Sequence, residues 1–409
     1  MNRWLYVVLR LRRALWVRAS LYAGLGVATA LLAVVAAPLV PDALAERFGG
    51  NSVEAILTIM ASSMLAVATF SLGAMVTAYT SVSQSATPRV AELVTGDQST
   101  QKSLATFVGA FLYSVIGVTA LNAHYYGSQG RAFLFLVTLV VVGLMTFRLL
   151  TWISRLSRLA RVGHMIELVE QRTEEAMRRN LDKPSLGGRP GRLTDGVEIA
   201  AEKTGYVQNV DCEHLQATAE ALNCEIEVLA LPGHLVRRGE AVARLSVASL
   251  ASDSDLAGKV RTAFAIGGAR SFEQDPRFGL VVLGEISGKA LSPGINDPGT
   301  AVQVVASGLR LMDIWARGSR ASSAITQPRI LAQPLDPADL LEDVFGPSMR
   351  YGAGDLIVSV RLQKVLASLT DLRGPVGAAA AILAAEALDR SMAAFDSDYD
   401  RRRLKSEAG

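Results

Sequence analysis

The chain has 409 residues, enough for two or three domains, but 50% of them are hydrophobic and only 19% are charged. Soluble proteins carry about 25% charged residues, so this composition excludes intrinsic disorder, a coiled-coil rod and a simple soluble enzyme. Residues 55–88 contain no Asp, Glu, Lys or Arg, whereas residues 167–192 are rich in them. This unevenness predicts a membrane-embedded half followed by a water-soluble half. The net charge of +3, with no basic stripe carrying aromatic residues, argues against a nucleic-acid partner.

Four apolar segments are long enough to cross a bilayer, which takes about 20 residues in a helix. The expected membrane helices cover about residues 19–40, 55–85, 104–121 and 132–153. The first follows an Arg-rich arm, but its apolar length exceeds that of a signal-peptide core, so we expect it to be retained. The sequence therefore predicts a transmembrane domain of four helices over residues 1–160.

Basic residues mark one side of this predicted membrane domain. They gather before the first span, between the second and third spans, and at the end of the fourth span. By the positive-inside rule, both termini are expected in the cytoplasm. The last basic group is Arg148, Arg155, Arg158 and Arg161. It is interpreted either as an ordinary inside anchor or as a contact with the anionic head groups of membrane lipids.

The second span carries a stripe of small and hydroxyl-bearing residues at helical spacing. Its members, called the hydroxyl stripe from here on, are Thr58, Ser62, Thr69, Gly73 and Thr77. Small residues let membrane helices approach closely and hydroxyls bond across the contact, so the stripe is typical of helix packing. It also fits the wall of a water-filled path for ions or small solutes in a homo-oligomer. No Asp, Glu or His lies mid-span, which argues against a proton-coupled transporter.

After the membrane half, the sequence predicts a cytoplasmic α+β domain in three parts. Residues 161–193 are expected to form a helix and a linker rich in Pro and Gly. Short runs with Gly at the bends over residues 194–250 predict a small β-barrel or sandwich. Residues 251–400 are expected to be mostly helical. The predicted fold class is thus an all-α membrane half followed by a cytoplasmic α+β domain.

Residues 270–300 concentrate charged side chains beside helix breaks. The candidates are Asp275, Glu285, Lys289, Asn296 and Asp297. Paired carboxylates can bind a ligand or a divalent ion. Capping by Asn296 or Asp297 and an ion pair between Glu285 and Lys289 would instead make the passage a structural corner. No His, Cys or activated Ser accompanies these residues, so no catalytic residue and no enzymatic activity is predicted.

Histidine and cysteine residues provide no metal motif, since none has a partner at metal-ligand spacing. The residues concerned are His124, His164, His214, His234, Cys212 and Cys224. The phrase PGHLVRRGEAVARL (232–245) is similar to the hairpins of biotinyl- and lipoyl-carrier folds, but it offers no Lys at a hairpin tip. The sequence therefore predicts neither a metal nor a cofactor.

The chain resembles, over nearly its full length, a bacterial family of predicted membrane proteins known as domain-of-unknown-function family 2254. The matching phrases are LSPGINDPGTA (291–301), EQDPRFGLVVLGEIS (273–287), SQSATPRV (83–90) and PGHLVRRGEAVARL. The family more often has bulkier residues where Gly288 and Gly299 stand here. The resemblance implies membrane spans followed by a soluble domain, and it supplies no activity and no site residues.

Two functions remain open from the sequence. The first is a homo-oligomeric channel or pore, with the hydroxyl stripe lining it and the soluble domain acting as a vestibule or gate. The second is a membrane-anchored ligand-binding or scaffold protein without transport activity, in which the GINDP corner holds a ligand or partner. A lipid-modifying enzyme is disfavoured, because the sequence offers no nucleophile, metal cluster or cofactor loop.

Overall fold

The computed structural model describes residues 15–35, 41, 52–85, 87–95, 98–123, 127–159, 161–247, 254–319 and 324–408. The chain divides into two units. The first comprises Met1–Gln84 and Ala91–Arg161, and the second comprises Ser85–Val90 and Val162–Gly409. The short segment Ser85–Val90, which begins at the last residue of the longest helix, therefore belongs to the second unit.

The regular elements described in the first unit are helices. They are α1 (Leu15–Val35), α2 (Ser52–Ser85), α3 (Pro88–Thr95), α4 (Gln98–Asn122) and α5 (Ser128–Leu159), and α3 begins within the segment that belongs to the second unit. Three stretches, Val53–Ser81, Lys102–Asn122 and Ser128–Ser154, are long and apolar enough to cross a membrane.

The expected first span is the part of the four-helix prediction that is not confirmed. Within α1 only Gly24–Ala33 qualifies as an apolar helix, and this stretch is shorter than a membrane span. Residues 36–40, where the prediction places the end of that span, lie outside the described residues. The structure thus supports three membrane helices in the first unit.

Close approaches between helices explain two glycines of the first unit. A Cβ on Gly26 of α1 would stand 3.1 Å from the Cα of Tyr113 on α4, and one on Gly117 would stand 2.9 Å from the side chain of Leu57. Small residues at such points let membrane helices pack backbone to backbone. Between α4 and α5, the buried hydroxyls of Tyr113 and Thr138 are 3.2 Å apart, which is within hydrogen-bond distance.

The second unit combines helices with two small sheets. Its helices are α6 (Val162–Asp182), α7 (Cys212–Ala221), α8 (Ser254–Thr262), α9 (Pro276–Ala290), α10 (Pro298–Gly318), α11 (Pro337–Tyr351), α12 (Leu356–Thr370), α13 (Pro375–Ala394) and α14 (Asp398–Ala408), with a 3-10 turn at Pro184–Gly187. Its strands are β1 (Val197–Ala200), β2 (Gly205–Val210), β3 (Ile226–Val228), β4 (Leu235–Val236), β5 (Ala241–Leu245), β6 (Phe264–Gly267) and β7 (Ile330–Ala332).

The strands form a four-stranded sheet in the order β1-β5-β3-β7 and a three-stranded sheet in the order β4-β2-β6. The pairing is antiparallel except between β3 and β7, which are parallel. Inward-facing residues such as Val207, Leu215, Ile226 and Leu245 are fully buried in a shared core. Burying each such side chain stabilises the fold by about 1.5–3 kcal/mol. Strands β6 and β7 lie within residues 251–400, a region that the sequence predicts to be mostly helical.

Outside the two sheets and their core, α9 is the central helix of the second unit. Leu280, Val282, Leu283 and Ile286 are all fully buried, so apolar residues surround it on most sides. Its glycines allow close neighbours: a Cβ on Gly284 would lie 2.5 Å from the carbonyl oxygen of Asp343 on α11. Any larger residue there would push α9 and α11 apart.

Candidate functional site

Asp275 stands at the N-terminus of α9 and is almost completely buried. Its Oδ1 accepts a hydrogen bond from the backbone N–H of Phe278 at 3.1 Å. The guanidinium of Arg270 donates to both carboxylate oxygens, at 2.8 and 3.0 Å. A buried carboxylate is tolerated when it is paired and hydrogen-bonded in this way. Asp275 therefore caps α9 and anchors Arg270.

The turn at Gly233 meets this ion pair from the β region. Gly233 has φ +94, and a Cβ on it would lie 2.3 Å from Oδ2 of Asp275. The next residue, His234, has its pKa lowered from the ordinary value by burial and by the nearby charge of Arg277. Two of the phrases that carry the family resemblance, PGHL and EQDPRF, thus meet at one point of the fold.

Arg277, in the first turn of α9, holds two carboxylates of α11. Its Nε donates to Asp343 at 2.7 Å, and its Nη1 donates to Asp339 at 2.5 Å. Burial raises the pKa of Asp343, although the contact with Arg277 opposes that rise. This three-residue cluster was not among the sequence candidates, because its partners lie more than 60 residues apart along the chain.

Glu285 pairs with a residue from the segment that follows α2. The carboxylate lies 2.7 Å from the Nη1 atom of Arg89, and both residues belong to the second unit. Arg89 is the Arg of the SQSATPRV phrase, so a third matching phrase also converges on α9.

The GINDP corner joins α9 to α10. Asp297 is the N-cap of α10, accepting from the backbone N–H of Thr300 at 3.1 Å and from its hydroxyl at 2.6 Å. These hydrogen bonds lower the pKa of the Asp297 carboxyl. Asn296 is exposed and adopts the left-handed backbone conformation, with φ 50. The Lys289 carbonyl accepts from the backbone and side chain of Ser292, which closes the corner.

The five candidates do not converge on one point. The backbone N–H of Asp297 donates to the carbonyl of Ala290, so Asp297 sits at the C-terminal end of α9, whereas Asp275 caps the N-terminal end. A helix of this length spans about 22 Å at 1.5 Å per residue. The two aspartates therefore cannot share a ligand or an ion.

Among the residues that the structure describes, we find neither a metal-binding site nor a reactive thiol. Among those residues, no group of three or more His, Cys, Asp or Glu is placed to hold a metal ion. Cys212 and Cys224 are free thiols. Burial, with Asp211 nearby, raises the pKa of Cys212 to about 12, so its thiol stays protonated and is a poor nucleophile.

A cleft lies in the second unit between α6 and the β region, and sequence reasoning missed it. Its cavity volume is about 460 Å³, within the range of small-molecule sites. Its lining includes four amide side chains and five charged ones, contributed by the end of α6 and the residue after it, by β2, by the start of α7, and by the segments before α9 and β7. The available signal was the run of polar residues at the end of α6, which includes Arg179 and Asn180 and continues to Lys183. That signal is weak, because such runs are usually only solvated.

The hydroxyl stripe is exposed along its whole length in the first unit. The buried face of α2 includes Leu57, Met60, Met64 and Ala68. At 100° per residue, the stripe lies about half a turn away from that face. Among the described helices of the first unit, the stripe is therefore not used for packing within a single chain.

The basic residues at the end of α5 are only partly described. Arg148 and Arg161 are exposed, whereas the side chains of Arg155 and Arg158 lie outside the described part of the chain.

The sequence phrases that meet on α9 all lie within a match to a known protein family. Residues 12–368 match the family described as predicted membrane protein, DUF2254. The chain belongs to this family. This DUF2254 protein is also 28% identical over 226 residues to the uncharacterized proteins Mb1321c of Mycobacterium bovis and Rv1290c of Mycobacterium tuberculosis. The match covers 51% of this chain and 42% of each relative, so it spans less than half of their length. No solved structure gives a significant match.

Proposed function

We propose that this DUF2254 protein is the subunit of a homo-oligomeric channel in the bacterial inner membrane. In this proposal the hydroxyl stripe lines the path, and the second unit forms a cytoplasmic vestibule. One observation carries the proposal: the hydroxyl stripe of α2 is exposed and lies opposite the face that packs against the described helices of the first unit. A polar stripe on a membrane helix is best accommodated against water or against another subunit.

Hydrogen bonding within α2 indicates what such a path would pass. The hydroxyls of Ser62, Thr69 and Thr77 donate to carbonyls one turn back in the same helix, at 3.2, 2.9 and 3.1 Å. A hydroxyl that donates inward presents its oxygen lone pairs outward. Oxygen-lined paths favour cations. The channel is therefore expected to conduct small cations better than anions.

Ion flux into liposomes tests the proposal. Purified protein is reconstituted, and K⁺ and Cl⁻ fluxes are measured under voltage, osmotic tension and a pH gradient. Thr69→Leu should reduce K⁺ flux by about tenfold, because it replaces a polar wall atom by a bulky apolar one. Thr119→Leu is the matched control, since Thr119 is an exposed threonine on α4 whose hydroxyl also donates to its own helix, at 2.8 Å. Absence of ion flux through the wild-type protein under all of these stimuli would contradict the proposal.

Orientation and lipid contact belong to the same proposal. With both termini in the cytoplasm, Arg148, Arg155, Arg158 and Arg161 would lie at the inner leaflet and bind anionic lipid head groups. Reporter fusions at each terminus test the orientation, and a periplasmic signal from either terminus would contradict it.

A second candidate is a membrane-anchored ligand-binding protein without transport activity. The cleft beside α6 favours it, because a cavity of about 460 Å³ with many polar side chains is suited to a small solute. Neither candidate includes a catalytic step. Binding of a small molecule by a protein that passes no ions would support this candidate over the channel.

A further inference from the structure

We propose that the cleft between α6 and the β region binds a small zwitterion of the free amino-acid class. The inference rests on the ligand-binding candidate and is independent of conduction, so a protein that passes no ions would leave it intact. Its grounds are three lining amide side chains that bond no residue in the described part of the chain, and lining groups of both charges.

Gln327 is the residue that most directly indicates a ligand. It lines the cleft, and only 9% of its surface is exposed. Its backbone is fixed, since its N–H donates to Gly187 at 2.9 Å and its carbonyl accepts from Ile330 at 3.1 Å. Within the described residues, however, no hydrogen bond reaches its side-chain amide. The amide atoms remain accessible from the cleft, where a ligand can bond them.

Two further amides face the same space. Asn180 on α6 and Asn209 on β2 are half-buried lining residues, and their side chains also make no hydrogen bond to any described part of the chain. Gln274 differs, because its side chain pairs with the backbone N–H and carbonyl of Val210 at 2.9 and 3.3 Å. The cleft thus contains three amides available to a ligand beside one that is already satisfied.

Charges of opposite sign face each other across the cleft. Arg179 lies on α6 and Lys183 directly follows that helix, whereas Asp211 and Glu213 lie at the start of α7. A third lining carboxylate, Asp182, is the last residue of α6. Nζ of Lys183 and Oε1 of Glu213 are 4.0 Å apart, so the two walls approach closely. Arg179 donates to the carbonyl of Glu273 at 3.0 Å, which holds its guanidinium at the rim.

This arrangement favours a molecule that carries both charges. A ligand carboxylate would bind Arg179 and Lys183, its ammonium would bind the acidic wall, and a polar side chain would bond the amides. A phosphate ligand is disfavoured, because Asp211 and Glu213 would repel it at close range.

Binding is tested with purified full-length protein in detergent. Each standard L-amino acid is added singly at about 10 mM, with AMP as the comparison ligand, and thermal unfolding is followed. At least one amino acid should raise the unfolding temperature, and isothermal titration with that amino acid should give a saturable dissociation constant. AMP should have no effect.

Two glutamine variants distinguish binding from a structural role. Gln327→Leu should raise the dissociation constant by about tenfold or more, without lowering the unfolding temperature of the ligand-free protein. Gln363→Leu is the control: Gln363 is also buried, at 4% exposed, but its amide donates to the carbonyl of Ala384 at 3.0 Å and it does not line the cleft. It should destabilise the protein and leave the affinity unchanged.

Three results would overturn the inference. They are no response to any amino acid at the highest concentration, unchanged affinity in Gln327→Leu, and binding of AMP in place of amino acids. The last result would exclude amino acids as the ligand class, but it would still support the ligand-binding candidate.

Discussion

Nη1 of Arg89 lies 2.7 Å from the carboxylate of Glu285, across 196 residues of sequence. The pair fixes the segment that follows α2 against the central helix of the second unit. Because these side chains are 51% and 29% exposed, solvent screens the interaction and its stabilisation is about 0.2–1 kcal/mol.

Charge reversal tests the Arg89–Glu285 pair. Arg89→Glu should lower the unfolding temperature slightly, because two carboxylates then face each other. Arg89→Glu combined with Glu285→Arg should recover most of that loss. The difference should shrink in about 1 M salt, where exposed charges are screened within about 3 Å. A double variant no more stable than Arg89→Glu alone would contradict direct pairing.

Gly233 and Gly239 form a matched pair for separating backbone strain from steric clash. Both have positive φ, +94 and +88, but a Cβ on Gly239 would meet nothing within 4 Å. Gly239→Ala should therefore cost only the conformational strain, about 1 kcal/mol. Gly233→Ala should cost clearly more, because its Cβ would displace the Asp275 carboxylate from Arg270. Chemical unfolding measures both variants, and equal losses would show that Asp275 adjusts freely.

A buried hydroxyl pair joins α9 to α11. The Oγ atoms of Ser287 and Ser348 are 2.6 Å apart, and neither residue is exposed. Ser287→Ala should destabilise the protein by about 1–3 kcal/mol, because it leaves the Ser348 hydroxyl without a partner. The double variant with Ser348→Ala should lose less than the sum of the two single losses. Additive losses in a double-mutant cycle would mean that the two hydroxyls are energetically independent.

Asp297 allows a combined test of capping and pH dependence. Asp297→Ala should cost about 1 kcal/mol, whereas Asp297→Asn should keep most of the cap. Since the folded-state pKa of Asp297 is lowered, its charge contributes stability above the unfolded value near 3.8. That contribution is lost as the pH falls through the folded pKa.

The measurement for Asp297 is the unfolding free energy as a function of pH, from about pH 6 down to pH 3. Wild type should lose more stability than Asp297→Asn below pH 4. Parallel curves for the two proteins would show that the carboxylate charge adds nothing.

The sequence alone determined the features that depend on local composition. Apolar length predicts four membrane helices, because a helix in a bilayer satisfies its backbone groups internally, and the structure supports three of them. The Asn-Asp-Pro break limits the cap of α10 to Asn296 or Asp297, because capping is decided within one turn. The overall order, a membrane half followed by a half that contains helices and small sheets, agrees with the distribution of charge.

Only the tertiary structure decided which distant residues meet. Periodicity indicates that Glu285 lies on a helix, but it cannot name Arg89 as its partner. The sequence leaves open whether Asp275 and Asp297 share a ligand site or form a structural corner, and the length of α9 places them at opposite ends. The sequence did not predict the cleft either, because Gln327, Asn180 and Asn209 come together only when α6 packs beside the sheets. Local rules act within a few residues, whereas sites are assembled by packing between elements that are distant in sequence.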